Sequence, residues 1–400
     1  MSHECSDVQP SDFGFGRDEA LLREQARKFL HEHASLRKLR QLTGDHDAVY
    51  TRGELPAFDR AVWRHCVELG WTALAIPEEC GGIGAKMVAV AALVEEVGRR
   101  ALPSPLIATL IATYVLRGAA TDAAKTWLGR VADGTTISLA FGDRAGSWEA
   151  DATEVSAERQ GNELVLDGTA WFVQDAFKVD TFLVAARAAE GICLVAVSKT
   201  APGVSVERDH IFDLTRDQAH ATFSRTRVSA ADLLALPSQG LQTLHAAWPS
   251  MLTIVSADLV GTSEWQLQTT VEYAKARKQF ERTIGSFQAV KHPLVDAMMQ
   301  IDQARSLLYN AACAIDVEPG RSEIAARMAK SAASDAAVFA SSRSVQLHGG
   351  IGFTWECDVH VFFKRNQHNA ALYGDGVHQR RKLANALIGP MTSVSNANSA

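Results

Sequence analysis

No stretch of this 400-residue chain reaches the ~18 consecutive apolar residues that a membrane-spanning helix needs. The nearest candidates, Val88–Val94 and Leu106–Leu116, are short, Ala-rich and flanked by charged segments. Positive charge is not in excess either: 40 Lys and Arg stand against 46 Asp and Glu, a formal net charge of −6. With no long basic run, a nucleic acid or an anionic membrane surface is excluded as the main partner. Cysteine is sparse, and Cys5, Cys66, Cys80, Cys193, Cys313 and Cys357 form no C-x-x-C pair. Scattered thiols fit a reducing compartment better than a disulfide frame or a zinc site. The opening residues MSHECSDVQPSDFGFG lack the basic-then-apolar order of a secretory signal, so the expected location is cytoplasmic. There is no His-Glu-x-x-His spacing and no Cys/His cluster, so no metal site is expected. The absence of a Gly-x-Ser-x-Gly elbow removes the serine-hydrolase class.

What is present is an ordinary globular composition, 47% hydrophobic and 22% charged, in a chain too long for one core. Three textures divide it. Residues 1–134 read as helical: Asp18–His33, Leu55–Leu69 and Val88–Arg99 carry helical spacing of apolar residues, and another apolar helix starts at Leu106. Residues 135–235 alternate, with short strand-like runs at Ile137–Phe141, Glu163–Leu166, Ala170–Val173, Thr181–Ala186, Ile192–Val197 and Val204–Val206. Asp167-Gly168 predicts a hairpin between the second and third of these. Residues 236–400 return to helix, with long amphipathic stretches at Leu252–Ala274, Pro293–Ile315 and Ser322–Leu347 and a shorter one at Gln379–Ile388. Pro293 suits a first helical turn, Gly349-Gly350 suits a helix stop, and the Ser/Asn-rich tail after Met391 reads as frayed. The expected class is α+β: a helical N-terminal domain, a middle antiparallel β-domain packed on one face, and a C-terminal four-helix bundle.

Three motifs inside this order narrow the reading. Residues 70–105 contain Leu-Gly-Trp, Pro-Glu-Glu, Gly-Gly-x-Gly, Glu-Glu-x-Gly-Arg and Pro-x-Pro; residues 277–291 read RKQFERTIGSFQAVK; residues 346–352 read QLHGGIG. Taken singly, each has an ordinary structural explanation, such as a turn or a helix stop. Together and in order, they resemble the acyl-CoA dehydrogenase family over roughly residues 18–390. The resemblance implies FAD as cofactor, bound by groups from two subunits, and therefore a dimer or a dimer of dimers, homomeric or mixed. On the matching positions it assigns cofactor contacts to Arg277, Gln279, Phe280, Gln288, Gln346, Gly349 and Gly350. The chemistry of these groups suits the assignment: a guanidinium fork and unobstructed amides match a pyrophosphate, and side-chain amides match adenine and ribose edges. In the sheet, LDGTAWFVQDA (166–176) aligns so that Phe172 takes the place of a Trp near the flavin ring, and Gln174 that of a flavin-bonding Thr or Ser. Upstream, LAFGDRAGSWEAD (139–151) keeps only Gly146-Ser147 of the family's Thr-Glu-x-x-x-Gly-Ser-Asp.

The implied reaction introduces a Cα=Cβ double bond into an acyl-CoA thioester, with the α-proton taken by a carboxylate and the β-hydride by flavin N5. Electrons pass on to an electron-transfer flavoprotein. The acyl groups of the family range from fatty acids to steroid side chains. The base of most members lies in Tyr-Glu-Gly-Thr; here the stretch is Tyr373-Gly374-Asp375-Gly376. Aligning on Tyr373 puts Gly374 in the place of the Glu, whereas aligning on the following Gly puts Asp375 there. Asp375 is the expected base. A second base position, on the first long helix of the bundle, matches Ser250, Met251 and Leu252, with Asp258 on the same face two turns on, the runner-up. His348 and His378 flank the implied site. The alternative function is a non-catalytic or half-site partner subunit in a heteromeric acyl-CoA dehydrogenase, favoured by the altered 139–151 segment, Gln174 and the changed base region.

Overall fold

The computed structural model describes residues 15–44 and 58–389. The start of the Leu55–Leu69 stretch, the N-terminal tail and the tail after Met391 lie outside the described residues. Six described helices precede the first strand: α1 (Arg17–His33), α2 (Leu36–Thr43), α3 (Arg60–Glu68), α4 (Met87–Arg99), α5 (Leu106–Gly118) and α6 (Asp122–Ala132). Their starts are set by side-chain caps: Ser35 accepts from the Lys38 amide, Asp59 from Ala61 and Val62, and Thr121 from Ala124. In α4 every residue from Met87 to Gly98 is buried, and in α5 every residue from Leu106 to Leu116. Helices apolar on all sides belong at the centre of a domain.

Two of the residues buried in α4 are charged. Glu95 and Glu96 meet Arg23 at 3.2 Å each, Glu96 also meets Arg27 at 2.7 Å, and Glu95 meets Arg305 at 3.1 Å. The Glu-Glu-x-Gly-Arg motif thus ties α1 to the bundle. Its glycine lets two backbones touch: a Cβ on Gly98 would lie 2.4 Å from the Asp258 carbonyl oxygen.

The middle region forms one sheet of β1 (Ile137–Ala140), β2 (Ser156–Gln160), β3 (Glu163–Gln174), β4 (Thr181–Ala188), β5 (Gly191–Ser198), β6 (Val204–Arg208), β7 (Gln218–Ser229) and β8 (Leu233–Ala235). Their order is β6-β7-β3-β2-β4-β5-β8, with β1 parallel on β4 and a single parallel pairing of β2 with β4; every other pairing is antiparallel. Alternate residues of β4 separate the faces. Leu183 and Ala185 join the main core with the helices, whereas Phe182, Val184 and Ala186 join a second core on the other face. The Asp167-Gly168 hairpin is corrected here: β3 runs straight through, with a register shift at Leu166/Gly168. Gly168 has φ +124 and a Cβ there would lie 2.2 Å from the Glu154 carbonyl oxygen, so this glycine makes a bulge and a close approach.

The bundle consists of α7 (Gly240–Ala276), α8 (Gln288–Val317), α9 (Pro319–His348), α10 (Val359–Ala371) and α11 (Gly376–Leu387). The sequence reading anticipates four of these; α10 is the addition. Pro293 lies six residues into α8 rather than in its first turn. A two-stranded ribbon, β9 (Lys278–Gln279) and β10 (Arg282–Thr283), joins α7 to α8. No helix among the described residues is long and apolar enough to cross a membrane.

Candidate functional site

Arg277 is the C-cap of α7, and Gly349 is the C-cap of α9. The two helix ends are held side by side. Thr270 and Ser344 share a hydrogen bond of 2.7 Å, and Tyr273 stacks on His348 at 4.3 Å between ring centroids. That contact, with Nδ1 of His348 2.8 Å from the Ser344 carbonyl oxygen, gives His348 a packing role. Arg277, Gln279, Phe280, Gln346, Gly349 and Gly350 thereby reach one end of the bundle, all exposed. Phe280 is 85% exposed. It is held outward by a ribbon turn in which Phe280 and Glu281 have φ of +54 and +64. Gln288, also exposed, opens α8 just beyond the ribbon.

A Cβ on Gly349 or Gly350 would meet nothing within 4 Å. Packing inside this chain therefore does not require either glycine to lack a side chain, although the positive φ of Gly349 does favour glycine at that one position. The exposed Arg277 and the open glycines at this bundle end suit the pyrophosphate and adenosine half of an FAD, with Arg277 as the charged donor, while the Gly349 amide itself is taken up by the Val345 and Gln346 carbonyls.

The sheet side of the site does not fit the flavin ring in the same way. Phe172 sits at a bulge in β3 with φ +57. Gln174 is 4% exposed and its amide is engaged at both ends: Nε2 donates to Gln218 at 2.9 Å and to the Phe172 carbonyl at 3.0 Å, while Oε1 lies 2.7 Å from His368 Nε2. Desolvation between sheet and bundle pushes the His368 imidazole down to about 4. The ring is therefore neutral at pH 7 and donates to Gln174. A donor bound this way is not available to a flavin.

The turn between α10 and α11 carries Tyr373-Gly374-Asp375-Gly376, where the sequence reading expects the base. Tyr373 has φ +57 and Gly374 φ +93, and a Cβ on Gly374 would lie 2.4 Å from His378 Cδ2. Asp375 is exposed and is the N-cap of α11, its Oδ1 accepting from the His378 amide at 2.8 Å. Beneath the turn lies Lys330, fully buried on α9. Its ammonium donates to Ser334 at 2.9 Å, to the Ala370 carbonyl at 2.9 Å and to the Gly374 carbonyl at 3.1 Å. Burial pushes this ammonium down to about 7.

Asp258 is not a free carboxylate. It is fully buried and accepts from Arg365 at 2.9 Å and 3.1 Å and from the Asn369 amide. Arg365 in turn donates to Thr215 of the sheet region at 2.7 Å. Sequence reasoning named Asp258 and Tyr373 but missed the pairing of Asp258 with Arg365, the buried Lys330, and the aromatic group that Tyr373 forms with Phe141, Trp148 and Trp248. For the aromatic group, the available signal beyond Tyr373 was Trp148, standing in the departed 139–151 segment.

A large internal sheet between two helical regions, with a nucleotide-fitting surface at one bundle end, defines a flavoprotein dehydrogenase fold. The chain belongs to the acyl-CoA dehydrogenase family. Residues 16–135 match the family's N-terminal domain and residues 252–388 its C-terminal domain. It is an oxidoreductase of the acyl-CoA dehydrogenase type. It is 32% identical to the acyl-CoA dehydrogenase IpdE2 of Mycobacterium tuberculosis over 79% of this chain and 83% of that protein. The IpdE2 of Mycolicibacterium smegmatis is 29% identical, over 91% and 96%. Among solved structures, a Tcur3481–Tcur3483 steroid ACAD variant superposes with a TM-score of 0.81 at 27% identity, covering 94% of this chain and 98% of that one.

Proposed function

We propose that the chain is the half-site partner in a two-chain, FAD-dependent acyl-CoA dehydrogenase. It contributes Arg277, Gln279, Phe280, Gln288, Gln346, Gly349 and Gly350 to an FAD whose ring is seated on a second, related chain. The α-proton base belongs to that second chain. The observation that carries this reading is the turn at 373–376: Gly374, which matches the base when the stretch is aligned on Tyr373, is left-handed with His378 standing where a side chain would begin, and Asp375 is taken up as the cap of α11. Bound FAD would take up the electrons as the acyl Cα–Cβ bond becomes a double bond, and an electron-transfer flavoprotein would receive them. Two further points support the reading. Gln174 is engaged within its own chain, and a similar solved structure is that of a steroid ACAD with two component names. The substrate class this favours is a steroid-side-chain acyl-CoA, the assembly a mixed dimer of dimers, and the location cytoplasmic.

The test is to purify the chain alone and together with a related chain carrying Tyr-Glu-Gly-Thr. The mixed preparation should be yellow, hold one FAD per pair of chains and bleach with acyl-CoA, while the lone chain does neither. Arg277→Ala should lower FAD retention by the mixed preparation about tenfold or more, as loss of a charged hydrogen bond implies. An unchanged flavin-to-protein ratio would remove Arg277 from the cofactor site. The second reading is a homomeric dehydrogenase with Asp375 as base, favoured by the exposure of that carboxylate. A lone chain that binds FAD and reduces it with acyl-CoA would establish it.

A further inference from the structure

In the arrangement just described, an acyl chain would lie between two landmarks: Phe172, at the flavin-ring position of the sheet, and Tyr373-Gly374, at the base position of the bundle. The space between them is spanned by one side chain. The indole of Trp148 lies 6.4 Å from the Phe172 ring and 5.3 Å, edge to face, from the Tyr373 ring. Behind it, Phe141 lies 6.2 Å from Trp148, and Trp248 lies 5.9 Å from both Phe141 and Tyr373. Phe141, Trp248 and Tyr373 are buried, whereas Trp148 is only half-buried, reaching in from the surface.

The segment that carries Trp148 is anchored at several points. The Ser147 amide donates to Asp143 Oδ1 at 2.8 Å, and the Arg144 amide donates to Glu154 Oε1 at 3.1 Å. The carboxylate of Glu149 pairs with Lys382 of α11. Gly146, at φ +72, turns the chain immediately before the Trp. A strap pinned on the bundle side therefore delivers one large ring into the sheet–bundle junction.

We propose that Trp148 closes this chain's own acyl-binding junction, so that only the second chain's site takes substrate. This rests on the half-site reading and assigns the closure to one residue. An extended acyl chain and the indole need the same volume, so occupancy by one excludes the other. The aromatic contacts hold the indole in place at no cost in unpaired charge.

The experiment uses the purified full chain, with octanoyl-CoA as probe in calorimetric titration. Wild type should show no binding, and Trp148→Ala should gain it, tightening by about tenfold or more, since burying two methylenes already supplies that much. Circular dichroism and a melting curve check that the variant is folded. Trp148→Leu, which keeps an apolar anchor but removes the spanning ring, is measured alongside and should bind with intermediate strength. A folded Trp148→Ala that binds no better than wild type overturns the proposal. So does a wild-type chain that binds octanoyl-CoA one-to-one, whatever the variants do. Bleaching of added FAD by the wild-type chain would sink the half-site reading instead, whereas binding without bleaching by Trp148→Ala leaves that reading intact and supports the closure.

Discussion

Replacing Asp258 by Asn separates a structural role from a catalytic one. The carboxylate is fully buried on α7 and receives the Arg365 guanidinium of α10 on both oxygens, while Oδ2 also accepts from the Asn369 amide. An amide at this position has one acceptor oxygen and one donor nitrogen. Whichever way it turns, its NH₂ faces Arg365, which only donates. The guanidinium then stays buried with Thr215 as its neutral partner. Removing one member of a buried pair costs ~3–5 kcal/mol; the retained oxygen places Asp258→Asn near 3. On a typical native stability of ~5–15 kcal/mol that is a large share. The melting temperature should fall by roughly 3–4 °C, with a matching loss in urea midpoint. Asp258→Leu combined with Arg365→Met should recover most of the loss, because a well-packed apolar pair replaces a buried ionic one without penalty. A melting temperature within about 1 °C of wild type, with flavin reduction slowed, would refute the reasoning and make Asp258 the proton acceptor.

Asp375→Ala removes the cap of α11 and should cost ~1 kcal/mol in stability, with no change in flavin reduction by the mixed enzyme. A fall in that rate of roughly 10²–10⁴-fold would instead restore Asp375 as the base. Acid should destabilise the fold through Glu96 and Asp175. Burial opposes ionisation at both, but Arg27, Arg99 and Arg23 around Glu96, and Arg216 and Lys178 around Asp175, outweigh it and hold both carboxyls below the ordinary range. The unfolded chain binds these protons more readily. The stabilisation is therefore complete above the unfolded value near 4 and is lost as pH falls through the lower folded values. The urea midpoint should hold from pH 7 to about 5 and drop below about 4. Glu96→Gln should flatten that drop, and a wild-type profile level down to about pH 2.5 would contradict the linkage.

The helices with an apolar stripe were legible because their period is carried by the residues themselves. The helix α10 was not: VHVFFKRNQHNAA offers buried Arg365, Asn366 and Asn369 on its inner face. Their burial makes sense only beside Asp258, Gln266 and Thr262 on another helix. Asp167-Gly168 misled for a related reason. Its backbone freedom was read correctly, but the need for it came from Glu154, close in space, and not from a chain reversal. The outward motifs around Arg277 and Gly349 were readable because they face away from the rest of the chain. Whether Asp375 pointed inward could not be read from its flanking glycines, since the amide it caps lies three residues on.

The turn at 373–376 also bears on how the chain's history could run. A single change of Gly374 to Glu would have to survive at φ +93 and push aside His378 and the Gln379 amide, which itself donates to the Tyr373 carbonyl at 2.8 Å. It would also disturb the carbonyl that Lys330 holds from below. On the half-site reading, a carboxylate at 374 would be easier to lose than to regain, because its return needs His378 and Gln379 to shift with it, and a chain without it would rely on the acid of its partner.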